Sequence, residues 1–305
     1  MSTPAASGPQ GVLLVDKPAG LTSFDVVERL RRAAGVDRAG HTGTLDPAAT
    51  GLLAVCLGEG VKLQHYLTAG DKAYEALVLF GAATDTEDAE GRVVATADAS
   101  ALSAAQVEAA LPPLTGEIEQ LPPMYSAVRV GGERLHRAAR RGEAVERTPR
   151  RVQVHELRLL SFEPGAMARA RLAVRCGKGT YVRTLAVDLG RALSLPAHLG
   201  ALRRTAAGPF DLDRARPLAE LEALGWERRE DLWALVVPPA EALGFLPAVA
   251  VDEAGALALR QGKALPGGPP EGLACAVGPA GELVAVCQAG GGKLRPQRVL
   301  HPPVR

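Results

Sequence analysis

Six consecutive apolar residues, Leu52-Leu53-Ala54-Val55-Cys56-Leu57, leave no polar position to face water and read as a buried strand. Val12 to Val15 is a second, shorter apolar strand, broken by Asp16-Lys17-Pro18-Ala19-Gly20. Between the two, Thr22-Ser23-Phe24-Asp25 has the spacing of a capping box, with Thr22 as N-cap and Asp25 three residues on. A helix should follow with Val26, Val27 and Leu30 on one face, closed by Gly35. Lys72 to Gly81 alternates as a strand that puts Tyr74, Ala76, Val78 and Phe80 on one face. Ser103 starts a helix that ends before Pro112-Pro113. Ser126 to Val130, a Gly131-Gly132 turn and a basic helix around Arg134 to Arg141 come next, then strands around Val152 to Leu160 and Ala168 to Cys176. Thr180 should cap a helix from Tyr181 to about Leu193, and Leu218 to Leu243 is helical. Beyond Pro247 short apolar runs (Leu273 to Val277, Leu283 to Cys287, Val299 to Leu300) alternate with Gly and Pro, the pattern of a small all-β module. Strands and helices mix without strict βαβ alternation, so the fold class is α+β.

Composition narrows the setting. No run of 18 or more apolar residues occurs, which argues against a transmembrane helix. Met1 to Gln10 lacks a basic segment followed by an apolar one; it reads as a mobile tail (residues 1–10) and not as a secretory signal. Cys56, Cys176, Cys275 and Cys287 form no C-x-x-C pair and have no suitably spaced histidine, so no metal is expected and a reduced, cytoplasmic chain fits. A net charge of +1 conceals segregation: Asp71 to Glu119 holds ten acids and two bases, Arg169 to Arg204 eight bases and one acid. Such a chain either pairs its two faces or presents a positive one to nucleic acid.

The segment from Asp37 to Thr50 shows no periodicity and reads as a loop rich in Gly, Thr and Ala. It holds His41, Thr42, Thr44 and Asp46. Asp-Pro is a common turn-starting pair, but the loop is long for a simple connection and abuts an apolar strand, where functional loops sit.

Gly11-Val12-Leu13-Leu14-Val15-Asp16-Lys17-Pro18, followed by Gly40-His41-Thr42-Gly43-Thr44-Leu45-Asp46-Pro47 and Ala49-Thr50-Gly51, resembles the bacterial tRNA pseudouridine-55 synthase (TruB) family. The match continues in order through Lys72-Ala73-Tyr74 with Gly81 to Gly91, Pro122 to Ala127, Cys176 to Leu185, and Ala197-His198-Leu199 with Leu202-Arg203-Arg204. Five ordered motifs are specific where Asp-Pro alone is not.

The resemblance implies a pseudouridine synthase fold, with a central, mostly antiparallel sheet flanked by helices and loops, over residues 11–246. It implies a small PUA-like β-barrel over 247–305. It also implies an enzyme that converts a uridine of the tRNA T-arm loop (position 55) to pseudouridine as a monomer, with no cofactor, no metal and no obligatory protein partner. Isomerising uridine breaks N1–C1′ and joins C5 to C1′; no electrons are exchanged and no group is lost. A single carboxylate can act as nucleophile, whereas a hydrolase would need a second to activate water. The family roles fall on Asp46 as nucleophile, Arg183 as the cation that keeps it ionised, and Tyr74 as the ring that stacks on the base and serves as general base. Tyr181 and Leu202 line the pocket, His41 fills the place of the flipped base, and Lys17 supports the cleft. Arg140, Arg141, Arg150, Arg151, Arg203 and Arg204 are candidate phosphate contacts. A guide-RNA-dependent synthase and a non-catalytic RNA-binding or tRNA-folding protein of the same fold are the alternatives.

Overall fold

The computed structural model describes residues 8–126, 129–130, 133–134, 141, 143 and 145–301. Of the basic helix expected around Arg134 to Arg141, residues 135–140 lie outside the described residues, as does the Gly131-Gly132 turn; Arg134 itself belongs to a two-residue strand, Glu133–Arg134, paired with Arg129–Val130. The chain forms two compact units. One comprises residues up to Pro47, Gly51–Gly70 and Ala207 onward; the other comprises Ala48–Thr50 and Asp71–Ala206.

In the first unit, strand Gly11–Lys17 pairs antiparallel with strand Thr50–Leu57, Val12 opposite Cys56 and Val15 opposite Leu53. Alternation sends Leu13, Val15, Leu53, Val55 and Leu57 into one core and Val12, Leu14, Leu52, Ala54 and Cys56 into another. The first core is closed by helices Ser23–Ala34 and Leu218–Glu227; the second contains Leu63, Phe210 and, from the C-terminal part, Cys275, Val286 and Leu300. A strand covered on both faces accounts for an apolar run without polar interruption. The expected capping box is present at Thr22 and Asp25, and Gly35 closes the helix with φ 67°, a conformation cheap only for glycine. The loop expected from Asp37 contains a short strand, Ala39–His41, paired with Thr50–Leu57. Its three residues are too few to show a period.

The C-terminal residues build a five-stranded sheet, in the order Ala248–Ala250, Glu271–Val277, Leu283–Gly290, Lys293–Val299, Leu265–Pro266. It is not all-β: helix Glu253–Arg260, capped by Asp252 accepting from the Gly255 N–H at 2.7 Å, packs Ala256 and Leu259 into its core. The helical stretch Leu218 to Leu243 is three helices, Leu218–Glu227, Arg229–Ala234 and Pro239–Ala242, interrupted where Arg228 is extended and where Pro238 and Pro239 reset the chain.

The second unit is an antiparallel sheet in which Gly116–Gln120, Arg150–Glu163, Arg169–Cys176 and Lys72–Phe80 pair in turn, with Ala197–Ala207 beside Lys72–Phe80. Ala76, Val78 and Phe80 enter one core with Leu172, Val174 and residues of helices Ala104–Ala110 and Val182–Ala192. Ser103 and Gln106 form the expected capping box. Thr180, expected as N-cap, is not one: its hydroxyl donates to the Gly177 carbonyl at 3.1 Å and Tyr181 occupies the cap position. The α+β reading, with antiparallel sheets flanked by helices, is borne out.

Candidate active site

In the first unit the residues on either side of Asp46 are pinned. The Ser23 hydroxyl, buried in the first helical turn, accepts from the Leu45 N–H at 2.8 Å and donates to the Leu45 carbonyl at 3.0 Å. The Pro47 carbonyl accepts from the Gly20 N–H at 2.9 Å and from Lys17 Nζ at 3.1 Å. Lys17 ends the first strand at 0% exposure, and its ammonium also donates to the Pro18 and Leu21 carbonyls. Lys17, expected to support the cleft, is a buried brace between the strand and the Asp46 loop. Asp46 itself is half-buried. His41 is half-buried too; its Nδ1 accepts from the Gly43 N–H at 3.2 Å, which leaves Nε2 to carry the proton of the neutral ring. Its main-chain carbonyl accepts from Gln64 Nε2.

In the second unit Arg183 stands in the first turn of helix Val182–Ala192. By residue type it would be a surface arginine; it is 5% exposed. Its guanidinium donates to the Tyr125 carbonyl at 2.7 Å and the Thr86 carbonyl at 3.1 Å, and lies 3.7 Å from Asp88 Oδ2. The acidic turn that offers these groups is internally tied: Asp88 Oδ1 accepts from Thr86 Oγ1 at 2.6 Å and from the Glu90 N–H at 3.1 Å. Glu87 at its apex holds φ 66°, costly for a residue with a Cβ, by roughly 1–3 kcal/mol. Burial raises the pKa of the Glu87 carboxyl, against the hydrogen bond from Thr184 and the charges of Arg183 and Arg147. The Glu87 carbonyl accepts from the Leu199 N–H at 3.0 Å, so three separate stretches of sequence meet at Arg183.

Tyr181 is fixed through its backbone. The Gln120 side chain, buried at the end of its strand, accepts from the Tyr181 N–H at 3.0 Å and donates to the Tyr181 carbonyl at 3.2 Å. The Tyr181 and Tyr74 side chains are half-buried, and Tyr74 packs with Leu202 against the core of this unit. Arg204, expected to meet phosphate, is corrected by the structure: it is 2% exposed and donates a hydrogen bond to Tyr74. Strand alternation sends its neighbour Arg203 the other way, toward Thr50 Oγ1 at 3.4 Å. Arg150 and Arg151 are exposed, Arg151 beside Glu117, and Arg141 pairs with Glu143. Arg140 lies outside the described residues. Ser23, Gln120, Asp88 and Arg204 support the site residues, and sequence reasoning gave none of them that place.

The architecture is that of a pseudouridine synthase. An H/ACA RNP bound to a substrate RNA containing 2′-deoxyuridine superposes with TM-score 0.74 at 24% identity, over 99% of this chain and 92% of that chain. A Cbf5-Nop10-Gar1 complex does so with TM-score 0.74 at 25% identity and the same coverage. The TruB family pseudouridylate synthase N-terminal domain matches residues 31–182. The tRNA pseudouridylate synthase B C-terminal domain matches 183–243, and the tRNA pseudouridine synthase II C-terminal domain matches 246–301. The tRNA pseudouridine synthase B of Symbiobacterium thermophilum is 54% identical over 81% of this chain and 80% of its own length. That of Thiobacillus denitrificans is 44% identical over 97% and 98%. The chain belongs to the TruB family and is a tRNA pseudouridine synthase.

Proposed function

We propose that the enzyme converts the uridine at position 55, in the T-arm loop of tRNA, to pseudouridine with Asp46 as the nucleophile. The observation that carries this reading is the double pinning of the Asp46 loop: Ser23 on Leu45, and Lys17 with Gly20 on Pro47, hold the aspartate between two immobilised neighbours. Holding a reactive group in place this way removes entropy from the barrier before the substrate arrives. Arg183 keeps the Asp46 carboxylate ionised once RNA covers it, because a nearby cation counters desolvation. Tyr74 stacks on the flipped uracil and is the general base, Tyr181 and Leu202 complete the pocket wall, and His41 takes the place of the base in the loop. Lys17 acts on the substrate through the loop it braces. The bond between N1 and C1′ breaks, the base turns, C5 joins C1′, and the proton on C5 leaves. No cofactor, metal or guide is needed, and the chain works as a monomer.

Residues 11–246 carry the chemistry and 247–305 add RNA affinity as a PUA-like module. Four buried free thiols suit the reducing cytoplasm. No helix among the described residues is long and apolar enough to cross a membrane. Incubation with a T-arm stem-loop transcript, without any guide RNA, followed by mapping of pseudouridine, tests the reading. Conversion of the uridine at position 55 is expected. No conversion until a guide RNA is added would replace this reading with the guided one, and binding without conversion would replace it with an RNA-folding role.

A further inference from the structure

Among the described residues, Arg204 is the largest fully buried side chain. It lies on strand Ala197–Ala207, next to strand Lys72–Phe80, and donates a hydrogen bond to the Tyr74 phenol. A guanidinium has five donors and no acceptor, so the phenol oxygen is the acceptor toward Arg204 and the phenol hydrogen points elsewhere. Lys72 stands two residues before Tyr74 on the same face, is buried, and feels the charge of Arg204. Opposite these two residues, on strand Arg169–Cys176, stand Cys176 and Val174. Burial pushes the Cys176 thiol up to about 11, so it is neutral and brings no countercharge at pH 7. Asp71 and Lys178, of opposite sign, are the other charges that act on Lys72. Taking an arginine out of water is costly, and alternation alone would let an apolar residue fill this position. Arg204 is instead buried here with a hydrogen bond to the phenol.

We infer that Arg204 is a positioning residue for the isomerisation: it fixes the Tyr74 oxygen and stabilises its anion, so that Tyr74 takes the proton from C5 after the C5–C1′ bond has formed. The inference rests on the base role given to Tyr74 above. In that step the C5–H electron pair becomes the C5=C6 bond, the N1=C6 pair moves onto N1, and N1 takes a proton from water. The proton from C5 ends on the Tyr74 oxygen, and no electrons are gained or lost. A cation held against the oxygen favours phenolate over phenol, and burial keeps that effect from being screened by salt.

The test uses the full chain on T-arm transcripts carrying uridine or 5-deuterouridine. Arg204→Gln should lower kcat roughly tenfold to a hundredfold, the usual worth of general-base assistance, and leave KM within about threefold. The C5-deuterium isotope effect on kcat should rise, because proton removal becomes rate-limiting. Arg204→Lys keeps the charge and should lose less; it carries the test if Arg204→Gln does not fold. In a Tyr74→Phe background Arg204→Lys should cost nothing further, since residues that act as a unit are not additive. Equal losses in both backgrounds, or a loss confined to KM or thermal stability with the isotope effect unchanged, would overturn the inference. If Tyr74→Phe itself leaves kcat and the isotope effect at the parent values, the base role of Tyr74 falls and takes this inference with it. If Tyr74→Phe changes both and the Arg204 variants change neither, only the role of Arg204 falls.

Discussion

In the Asp46 loop the anchoring bonds are made by the residues beside the aspartate, with Ser23 gripping Leu45 and Lys17 and Gly20 gripping Pro47. In the Arg183 cradle they fall on the charged group itself, held by two carbonyls and the Asp88 carboxylate. The contrast suits the two proposed tasks. A carboxylate that forms and releases a bond to the substrate must be held by its backbone so that its oxygens can reach the reacting atom. A cation that acts through its field must have its head group immobile, and a backbone in an unfavourable conformation at Glu87 is tolerated to present the groups that hold it.

Removing each chemical group in turn tests that contrast. Asp46→Asn keeps the loop's shape and should abolish pseudouridine formation in the T-arm assay while RNA binding in a filter assay stays near the parent value; full turnover would dispose of the nucleophile assignment. Arg183→Met should lower kcat by about a hundredfold to a thousandfold, the usual cost of deleting an electrostatic partner in a buried site, with little change in affinity. A loss in affinity alone would make Arg183 an RNA contact. Ser23→Ala should cost roughly 1–3 kcal/mol by leaving the Leu45 N–H without its buried acceptor, and should slow kcat as well. Thr22→Ala, one residue away, removes the helix cap for about 1 kcal/mol and should leave kcat unchanged. Equal effects of the two on turnover would mean that the Ser23 grip on the loop is only structural.

The smallest effect is expected at Glu87. Because burial raises its pKa, the folded chain holds this proton more tightly than the unfolded one. The group therefore favours folding below its ordinary pKa, and that contribution is lost as pH rises through the raised value. Glu87→Gln keeps an acceptor for Thr184 and should raise Tm by about 1–2 °C at pH 8 and leave it unchanged at pH 4. A lower Tm at pH 8 would show that the charge, once formed, is stabilising in the cradle.

What was legible in the sequence was local. The Thr22–Asp25 and Ser103–Gln106 boxes close over three residues, and the alternation of Lys72 to Phe80 states which side chains share a face. The supporting residues have partners far along the chain: Ser23 meets Leu45 22 residues on, and Gln120 meets Tyr181 61 residues on. Periodicity tells a face but not what stands opposite it. For that reason Arg204 read as a phosphate contact and Arg183, apart from the family, as a surface residue, when both are buried. Thr180 failed as a cap because the helix begins one residue later, with Tyr181 at the cap position, and the Thr180 hydroxyl instead closes the preceding turn on the Gly177 carbonyl. Helix Glu253–Arg260 was hidden by its brevity and by Gly255 within it. The roles of Asp46, Tyr74 and Arg183 came from the order of the motifs, and no single motif would have supplied them.

The core that covers one face of strands Gly11–Lys17 and Thr50–Leu57 is completed by Phe210, Cys275, Val286 and Leu300. On the ribosome these strands emerge well before Phe210, Cys275, Val286 and Leu300. Until nearly the whole chain has been made, Val12, Leu14, Leu52 and Cys56 have only part of their native cover on that side, from Leu63 and Leu67. Contacts this distant in sequence close slowly, and an exposed apolar strand is prone to pair with the wrong neighbour while it waits. The enzyme's birth is thus constrained by the same strand that frames the Asp46 loop: residues 11–57 are synthesised before Phe210, Cys275, Val286 and Leu300, yet they reach their finished form only when those residues return to them.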